Sequence, residues 1–466
     1  MRSWRNTFFD ILNPCRSRAK NLSSVREIRK TRSFAGAQDD ISRVGQRFHD
    51  IRERKSWKFS RRSGAVFLFG LVFPLILIFP SRLPAAADSE NSPYLIKFGT
   101  MAPADSAWTE IPNKILIPLV GSMFGNRLKL VVYYGGAMGD DEEILKKIQA
   151  GKLDACSCTN QGTVKLVPDL SVLTLPLLFQ SYDEIDFVLP KLRKYIEARF
   201  AERGFKLLFI VDTGFLYYFS RDDPSTFAKM RTQKVFSWFG VIQERTFNYL
   251  GINPIAITIP ELAPSISKNL TNAGAGPASW LLATQMYPQM KYVLEEPLFY
   301  GPATGFVSQR RLDFIISDLK AKPSEFAAIQ KNFTAFKNSV DAESYFARKD
   351  IRDEKLRRSG RELISWIRGQ KLESPEDVVE IILGLFQKSE TAWLRSIREF
   401  EAECFQGFYA RGMKKARLEE SDRRTLLLAT GRVWEEFSGQ LYPPTLLSGI
   451  KDRLVQYRAR RNPLPD

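Results

Sequence analysis

The sequence predicts an α/β protein made of two lobes, followed by a long helical region. From residue 94 to about residue 305, short segments rich in β-branched and aromatic residues alternate with amphipathic segments of helical period. Beyond about residue 308, the apolar residues keep a helical period over much longer stretches. A length of 466 residues is sufficient for two or three domains, and no repeat recurs along the chain.

The first lobe, predicted over residues 88–213, begins with a strand–helix–strand–helix–strand pattern. Strands separated by single helices indicate a parallel sheet that carries helices on both faces. The predicted strands are 94–100, 128–134 and 152–157, and the predicted helices are 106–124 and 140–150.

The alternation continues through the second lobe, predicted over residues 214–305. We expect each lobe to contain its own sheet, so the chain would carry two α/β sheets in sequence. The predicted helix 182–204 and strand 205–212 complete the first lobe. The second lobe is predicted to contain the strands 214–220, 234–238, 253–258 and 270–275 and the helix 240–251.

Residues 306–466 are predicted to form a helical part that packs across the two lobes. Its clearest element is a helix over 374–405, because Ser374 is a favourable N-cap and is followed by Pro375 and Glu376 in the first turn.

The N-terminal region has the organisation of an export signal, predicted over residues 51–87. A basic stretch (52–62) precedes an apolar run of 17 residues (63–79), and small residues at Ala85 and Ala87 predict cleavage after Ala87. The alternative is an uncleaved membrane anchor at 63–79, which the shortness of the run and Pro74 disfavour. Residues 1–50 precede this signal without a pattern, and we interpret them as a spurious or disordered extension.

The basic charge of the chain is concentrated in the same region. Residues 1–87 contain 18 Lys and Arg against 6 Asp and Glu, whereas the whole chain has a formal net charge of +17. A nucleic-acid-binding protein needs a basic patch on its folded body. We therefore interpret the charge as part of a targeting signal and predict no nucleic-acid partner.

The histidine and cysteine content excludes several kinds of catalytic site. The single histidine, His49, lies before the predicted cleavage point, so the exported chain would have neither a His-dependent triad nor a His-ligated zinc site. Cys156 and Cys158 share one face of a predicted strand. A metal or redox pair is one interpretation, and two small core residues is the favoured one. A disulfide from Cys404 to either of them stays open. We predict no catalytic residue, no metal ligand and no cofactor.

A glycine-rich loop precedes the helix at residue 140, but it does not have the chemistry of a phosphate-binding loop. A P-loop ends in Lys followed by Ser or Thr, whereas Gly139 is followed by four acidic residues, 140–143. These side chains favour the positive end of the helix dipole and repel phosphate. The loop is predicted to be a structural turn. Two lobes, an export signal and no catalytic set together indicate a secreted ligand receptor with a cleft between its lobes.

The stretch GGAMGDDEEILKKIQAGKLDA (135–155) resembles the signature of the periplasmic solute-binding proteins of TRAP transporters, the DctP family. Further segments resemble the family in the same order, among them FGTMAPADSAW (98–108), LPLLFQSYDEIDFVL (175–189) and LGINPIAITIPEL (250–262). The resemblance covers about residues 94–313 and 400–458. It implies a two-lobed periplasmic-binding-protein fold (type II-like) with a hinge, a periplasmic location and no enzymatic activity. It also implies capture of a small organic acid or related ligand and delivery to the membrane subunits of a TRAP permease.

The resemblance also shows where this chain departs from the family. The two positions at which family members carry a carboxylate-binding arginine hold Phe236 and Leu216, and Gly276 replaces an asparagine before Pro277. We therefore predict an aromatic, apolar cleft in which Phe215, Phe236 and Trp238 contact the ligand, together with Gly276 and Pro277. The alternative is that these aromatic residues pack in the lobe cores and that another cation binds the ligand.

Two further contacts are predicted from loops at strand ends, where open α/β sheets place their ligands. These are Trp108, for stacking, and Asn160, for a polar contact. Residues near 317–395 form a charged insertion relative to the family, which is either a docking surface or, as favoured, a set of solvated helices. The alternative function is a membrane-anchored ligand sensor or scaffold that uses the same binding module.

Overall fold

The computed structural model describes residues 94–349, 351 and 353–461. The extension predicted over 1–50, the signal peptide predicted over 51–87 and the alternative anchor at 63–79 lie outside the described residues. Within the part that is described, no helix combines the length and the apolar character needed to cross a membrane.

A mixed, nine-stranded sheet runs through the described residues in the order β2-β1-β3-β8-β4-β7-β5-β6, with β9 paired to β8. Strands β1, β2 and β3 pair in parallel, as predicted from the alternation of strands and helices. The strands are β1 (Tyr94–Thr100), β2 (Leu128–Tyr133), β3 (Ala155–Cys158), β4 (Phe205–Ser220), β5 (Val235–Ser237), β6 (Ile255–Ala256), β7 (Ala273–Gly276), β8 (Tyr292–Ser308) and β9 (Lys414–Ala416).

The expectation of two α/β sheets in sequence is wrong in one respect, because two long antiparallel strands join both halves into one sheet. Strand β4 is a single strand of 16 residues and β8 one of 17 residues. The first half of β4 pairs with the end of β8, which also pairs with β3. The second half of β4 pairs with the start of β8 and with β7. The predicted lobe boundary at residues 213 and 214 therefore lies inside a continuous strand.

The helices flank this sheet and agree in most bounds with the sequence prediction. A π-helical segment (Pro112–Leu116) joins the first two, and 3₁₀ segments occupy Pro168–Thr174 and Tyr287–Gln289. The predicted strand 253–258 is reduced to β6, since Pro254 has no N–H for a ladder and Thr258 begins the next helix. The helices of the first two-thirds are α1 (Ala107–Ile111), α2 (Ile117–Met123), α3 (Asp141–Gln149), α4 (Asn160–Leu166), α5 (Tyr182–Glu202), α6 (Phe227–Arg231), α7 (Val241–Tyr249), α8 (Ile259–Ser267) and α9 (Ala278–Ala283).

The last third of the chain is mostly helical, as predicted. Its longest helix, α14, has 36 residues, and the predicted N-cap Ser374 forms a capping box with Asp377. The helices are α10 (Gln309–Ala321), α11 (Pro323–Ser339), α12 (Ala342–Arg348), α13 (Glu354–Arg368), α14 (Pro375–Ala410), α15 (Glu420–Phe437) and α16 (Pro444–Arg461).

Helix α14 packs directly on β4 through aromatic side chains. The ring of Phe209 lies 4.5 Å from that of Trp393 and 5.7 Å from that of Phe386, measured between centroids. All three are buried. This contact fixes the long helix over the strand that passes between the two halves of the sheet.

The glycine-rich stretch before α3 is a turn, as predicted. Gly135, Gly136 and Gly139 adopt φ values of 59°, 73° and 91°, a region that favours glycine. Asp140 then caps α3, since its side chain accepts a hydrogen bond from the N–H of Glu143 at 2.9 Å.

Candidate functional site

A small cavity lies where the two halves of the sheet meet. Its volume is about 40 Å³. Its walls come from the loop after β1, helix α1, the end of β3, the middle of β4, helix α9 and helix α14. Four tryptophans line it, and so do four hydroxyl-bearing side chains. These are Trp108, Trp238, Trp280 and Trp393, with Thr100, Ser157, Thr159 and Thr213.

The indole rings stack across the predicted lobe boundary. The ring of Trp280 lies 5.9 Å from that of Trp238, at an interplanar angle of 15°. It also lies 6.3 Å from the ring of Trp108, at an interplanar angle of 50°. Because Trp108 belongs to the predicted first lobe and the other two to the second, the stack joins the lobes.

The N–H groups of these indoles are used unequally. Trp108 Nε1 donates to the backbone oxygen of Asp212 at 3.1 Å, and Trp238 Nε1 donates to that of Ala275 at 2.8 Å. Trp393 Nε1 donates to the backbone oxygen of Trp108 at 3.0 Å. Trp280 Nε1 is buried and has no partner among the described residues. A buried donor left without an acceptor costs about 1–3 kcal/mol, so a ligand oxygen at this position would remove that cost.

The lining of the cavity is neutral. None of its described residues is Lys, Arg, Asp or Glu. The positions of the two family arginines hold Leu216 and Phe236, which are both buried. A ligand at this site would meet aromatic faces, hydroxyl groups and one unpaired N–H.

A second cavity of about 40 Å³ adjoins the first. The two share Thr100, Ala102, Trp108, Ser157 and Trp393 in their linings. Each has room for one or two water molecules, since a water occupies about 30 Å³ of the liquid, whereas ligand pockets usually measure about 300–1,000 Å³. Neither cavity is large enough for an organic acid in this structure, so a ligand at this place would need the two halves to separate.

The two long strands provide a place for such a motion. The register of β4 against β8 shifts between Asp212 and Gly214, and Gly214 has a φ of 121°. At the same level, Thr213 Oγ1 donates to the backbone oxygen of Gly301 at 2.8 Å. The sequence prediction divided β4 at this point, because its hydrophobic pattern is interrupted by the Asp–Thr–Gly sequence.

A buried ion pair ties this crossing to helix α14. Arg398 Nε donates to Asp212 Oδ2 at 2.5 Å, and Tyr300 Oη donates to Asp212 Oδ1 at 2.5 Å. The same guanidinium binds both oxygens of Asp186 at 2.7 and 2.8 Å. Burial raises the pKa of Asp212, and the charge of Arg398 opposes that rise.

A second buried carboxylate ties α14 to helix α9. Glu401 accepts hydrogen bonds from the N–H groups of Ala278 and Ser279, the latter at 2.9 Å. It caps α9 from outside, because Pro277 at the N-cap position offers no side-chain acceptor. Burial raises the pKa of Glu401 to about 7, although its hydrogen bonds to Ser279 and Ala278 lower it.

The structure separates the predicted ligand contacts into two groups. Trp108, Trp238 and Pro277 line the cavity, and their contact with a ligand stays a prediction. The other four, Asn160, Phe215, Phe236 and Gly276, are absent from the described lining of both cavities.

Each of the four residues outside the lining has another place in the fold. Asn160 is buried in the first turn of α4. Phe215 packs against Tyr182 and Tyr300, with centroid distances of 4.9 and 5.6 Å. Phe236 lies against Gly274, where an added Cβ would come within 2.5 Å of its ring. Gly276 pairs with Tyr217 in the sheet.

Sequence reasoning missed Trp280, Trp393 and Thr213 as lining residues. Trp280 and Trp393 are large aromatic residues in helices whose other apolar residues already account for the helical period. Two such additional tryptophans could have indicated a role other than core packing. Thr213 carried no signal, since its place in the cavity depends on a register shift between distant strands.

The two cysteines of β3 are bonded to each other. The favoured interpretation treated Cys156 and Cys158 as two small core residues. Both are buried, as that interpretation requires. They are not two separate thiols, however, because they form a disulfide. Their Cα atoms lie 5.5 Å apart, within the range that a disulfide can span. Cys404, which is buried in α14, is not part of it.

Comparison with known proteins agrees with this architecture. The model of the DctP family, the bacterial extracellular solute-binding proteins of family 7, matches residues 98–339. The chain belongs to this family. It is a TRAP-type solute-binding protein, as the resemblance implied, and its family is one of ligand receptors outside the cytoplasm.

Two sequence relatives are distant. An uncharacterized protein of Haemophilus influenzae is 21% identical over 293 residues, which is 62% of this chain and 87% of that protein. A solute-binding protein of Verminephrobacter eiseniae is 20% identical over 196 residues, which is 41% of this chain and 57% of that protein.

Solved structures show the same two-lobed fold. The sugar acid binding protein of Advenella mimigardefordensis, in complex with galactonate, has a TM-score of 0.61 at 16% identity. A TRAP solute-binding protein of Ralstonia eutropha, with bound (S)-2-acetolactate, has a TM-score of 0.60 at 16% identity. Each match covers 78% of this chain and 99% of the other. At these identities the likeness shows the fold alone, and it confirms the predicted fold class.

Proposed function

We propose that this protein is an extracytoplasmic receptor that captures a small organic acid between its two lobes and delivers it to the membrane subunits of a TRAP permease. The tryptophan-lined cavity at the meeting of the lobes carries this proposal. The solved relatives that bind galactonate and (S)-2-acetolactate support an organic acid as the ligand class. Catalysis forms no part of the proposed function.

The lining narrows the class of acid. Without a Lys or Arg among its described residues, the cavity would hold a carboxylate through neutral donors, namely the hydroxyl of Ser157 and the N–H of Trp280. The hydroxyls of Thr100, Thr159 and Thr213 already donate within the protein. A hydrogen bond from a charged donor contributes about 1.5–3 kcal/mol, whereas one from a neutral donor contributes about 0.5–1.5 kcal/mol. The stacked indoles favour an apolar or aromatic surface. An acid with a branched or aromatic body therefore fits the site better than a small dicarboxylate.

A ligand panel tests this proposal. We expect isothermal titration calorimetry and thermal shift to detect aromatic acids or branched oxo-acids more strongly than succinate-like dicarboxylates. Trp238→Ala should weaken binding of the preferred acid. Trp434→Ala is the matched control, because this tryptophan is buried elsewhere and donates to the backbone oxygen of Pro176. Tight binding of a small dicarboxylate that survives Trp238→Ala would contradict the proposed ligand class.

We also propose export to the periplasm through the signal peptide at 51–87, with a mature chain that starts at Asp88. The expected result of N-terminal sequencing of the periplasmic protein is a start at Asp88. A retained segment 63–79 in the membrane fraction would contradict it and would favour the membrane-anchored sensor instead.

A further inference from the structure

A cluster of three buried side chains lies beside the ligand cavity. It consists of Asp141, in the first turn of α3, and of Cys156 and Cys158 in β3. One carboxylate oxygen and the two sulfurs all lie within 4.8 Å of one another. Ser157 and Cys158 both line the cavity, so the cluster lies directly against it.

The local sequence brings these groups together. Residues two apart in a strand share a face, so both sulfurs of the Cys–Ser–Cys stretch point the same way. Gly162 in α4 then allows a close approach. A Cβ there would come within 2.7 Å of the Cβ of Asp141 and 3.0 Å of the Cβ of Cys158.

The two carboxylate oxygens of Asp141 have different surroundings. Oδ2 accepts hydrogen bonds from Thr159 N at 3.0 Å, Thr159 Oγ1 at 2.6 Å and Gly162 N at 3.2 Å. Oδ1 is buried and has no hydrogen-bond partner among the described residues. One oxygen therefore fixes the carboxylate in place, and the other keeps its lone pairs available. Hydrogen bonds of this kind orient a metal ligand before the metal binds.

We propose that this cluster is a redox-gated site for a thiophilic divalent cation of the zinc class. The cation is held by the sulfurs of Cys156 and Cys158 and by the carboxylate of Asp141. Thiolate sulfur and carboxylate oxygen are both established zinc ligands. In the disulfide form the sulfurs are bonded to each other, and the site is closed.

Opening the site requires a dithiol reductant. A thiolate of the reductant attacks one sulfur of the Cys156–Cys158 bond and forms a mixed disulfide. The second thiol of the reductant then displaces it, so the reductant leaves as a disulfide and has supplied two electrons and two protons. Both cysteines are then thiols, and cation binding releases their two protons to solvent.

The charges of the reduced cluster favour a cation. Two thiolates and a carboxylate in a buried place cannot remain charged without a partner, because burial of an unpaired charge is costly. A divalent cation offsets most of that charge. Cys158 also lines the ligand cavity, so separation of the lobes gives the reductant and the cation a route to the site.

The test uses the full chain with Co²⁺ and Zn²⁺ as probes. The protein is reduced with a phosphine, desalted without oxygen and titrated with Co²⁺. We expect thiolate-to-cobalt charge-transfer absorption that saturates at one equivalent and disappears when Zn²⁺ is added. The oxidised protein, which should show two fewer thiols when denatured, is expected to give no such band.

The variants separate this site from adventitious binding. Cys156→Ser and Cys158→Ser should each abolish the charge-transfer band of the cluster. Asp141→Asn, which keeps an acceptor for Thr159 and Gly162, should weaken cobalt binding at least about tenfold. Cys404→Ser is the matched control and should bind as the wild type does. Absence of a one-equivalent band in reduced wild type would overturn the proposal. Equal cobalt affinity in Asp141→Asn or loss of the band in Cys404→Ser would do the same.

Discussion

The two faces of one short segment of β4 differ completely in chemistry. Val211 and Thr213 face the tryptophan-lined cavity of about 40 Å³, which has a neutral lining. Ile210 and Asp212 face a groove of about 570 Å³ between α5 and α14. The groove is lined by charged side chains of both signs, namely Asp186, Arg193, Asp212, Glu390, Arg395, Arg398 and Glu399.

The two faces also differ in the hydrogen-bond partners of their polar groups. On the charged face, Arg398 is occupied by Asp212 and Asp186, and Arg193 binds both oxygens of Glu390 at 2.6 and 2.7 Å. These arginines hold the strand to helices α5 and α14. On the aromatic face, the N–H of Trp280 has no partner among the described residues. Nη2 of Arg193 is likewise buried without a partner among the described residues, so the faces differ in charge rather than in having an unused donor. Because the arginine–carboxylate pairs of the groove tie elements of the fold together, the small cavity stays the candidate for ligand.

Removal of Arg398 is expected to have the largest effect. Arg398→Met leaves Asp212 fully buried beside Tyr300 alone, and loss of one partner of a buried ion pair costs about 3–5 kcal/mol. The loss in urea unfolding should be larger at pH 7 than at pH 5, because without Arg398 the raised pKa of Asp212 lets it become neutral in acid. Arg395→Met is the control on the same groove. Arg395 is exposed, and its loss should change stability by no more than about 0.5 kcal/mol. Equal losses in the two variants would show that the ion pair is not what holds this face.

Glu401 is expected to make stability depend on pH. Its pKa rises from 4.5 to about 7 on folding, so the folded state holds the proton more strongly. The contribution of Glu401 to stability is therefore full below pH 4.5 and is lost as the pH rises through 7. A shift of this size corresponds to about 3 kcal/mol.

Glu401→Gln should remove that pH-dependent part from urea unfolding measured between pH 4.5 and pH 8. Glu380→Gln, at an exposed position of the same helix, should keep the pH dependence of the wild type. A Glu401→Gln curve parallel to that of the wild type would show that this carboxylate does not titrate on folding.

Gly301 allows the two long strands to approach at their crossing. A Cβ there would lie 2.1 Å from Thr213 Oγ1 and 3.0 Å from the backbone oxygen of Gly214. Gly301→Ala should therefore destabilise the protein by about 1–3 kcal/mol through overpacking, and Thr213→Ala in the same chain should recover part of the loss. Gly276→Ala is the control strand glycine, because its Cβ would meet only ordinary contacts, 3.6 Å from Leu281 Cδ1. Chemical unfolding of these three variants and the wild type measures the losses, and an unchanged stability of Gly301→Ala would exclude a tight crossing.

The sequence was sufficient for the parts of the fold that depend on local patterns. The parallel β1–β2–β3 unit and the start of α14 at Ser374 follow from periodicity and capping, which act over a few residues. The continuity of β4 and β8 did not follow, because antiparallel pairing of residues 205–220 with 292–308 leaves no local signature. The predicted division at residue 213 mistook an irregularity of register for a strand end.

The candidate site could be predicted only in part, for the same reason. Trp108 and Trp238 follow strand ends and could be placed near the cleft from the sequence. Asp212 could not be recognised as the partner of Arg398, since 186 residues separate them in the chain. Phe236 was placed in the cleft because the family has an arginine there, but the ring packs over Gly274, where its apolar surface is buried.

The smallest expected effect concerns the single unpaired N–H of the aromatic face. Trp280→Phe keeps an aromatic ring against Trp238 and removes the donor together with the pyrrole part of the indole. If a ligand oxygen accepts from that donor, its loss should cost about 0.5–1.5 kcal/mol, or roughly two- to tenfold in affinity for the preferred acid. The stability of the ligand-free protein should fall only through the buried volume that is lost, because no protein acceptor loses a bond. Trp434→Phe should behave in the opposite way, since its N–H donates to Pro176 at 3.0 Å: stability falls and affinity does not. Calorimetry measures the affinity of each variant for the acid, and urea unfolding measures the stability of each variant. Unchanged affinity in Trp280→Phe would mean that the unpaired donor does not contact the ligand.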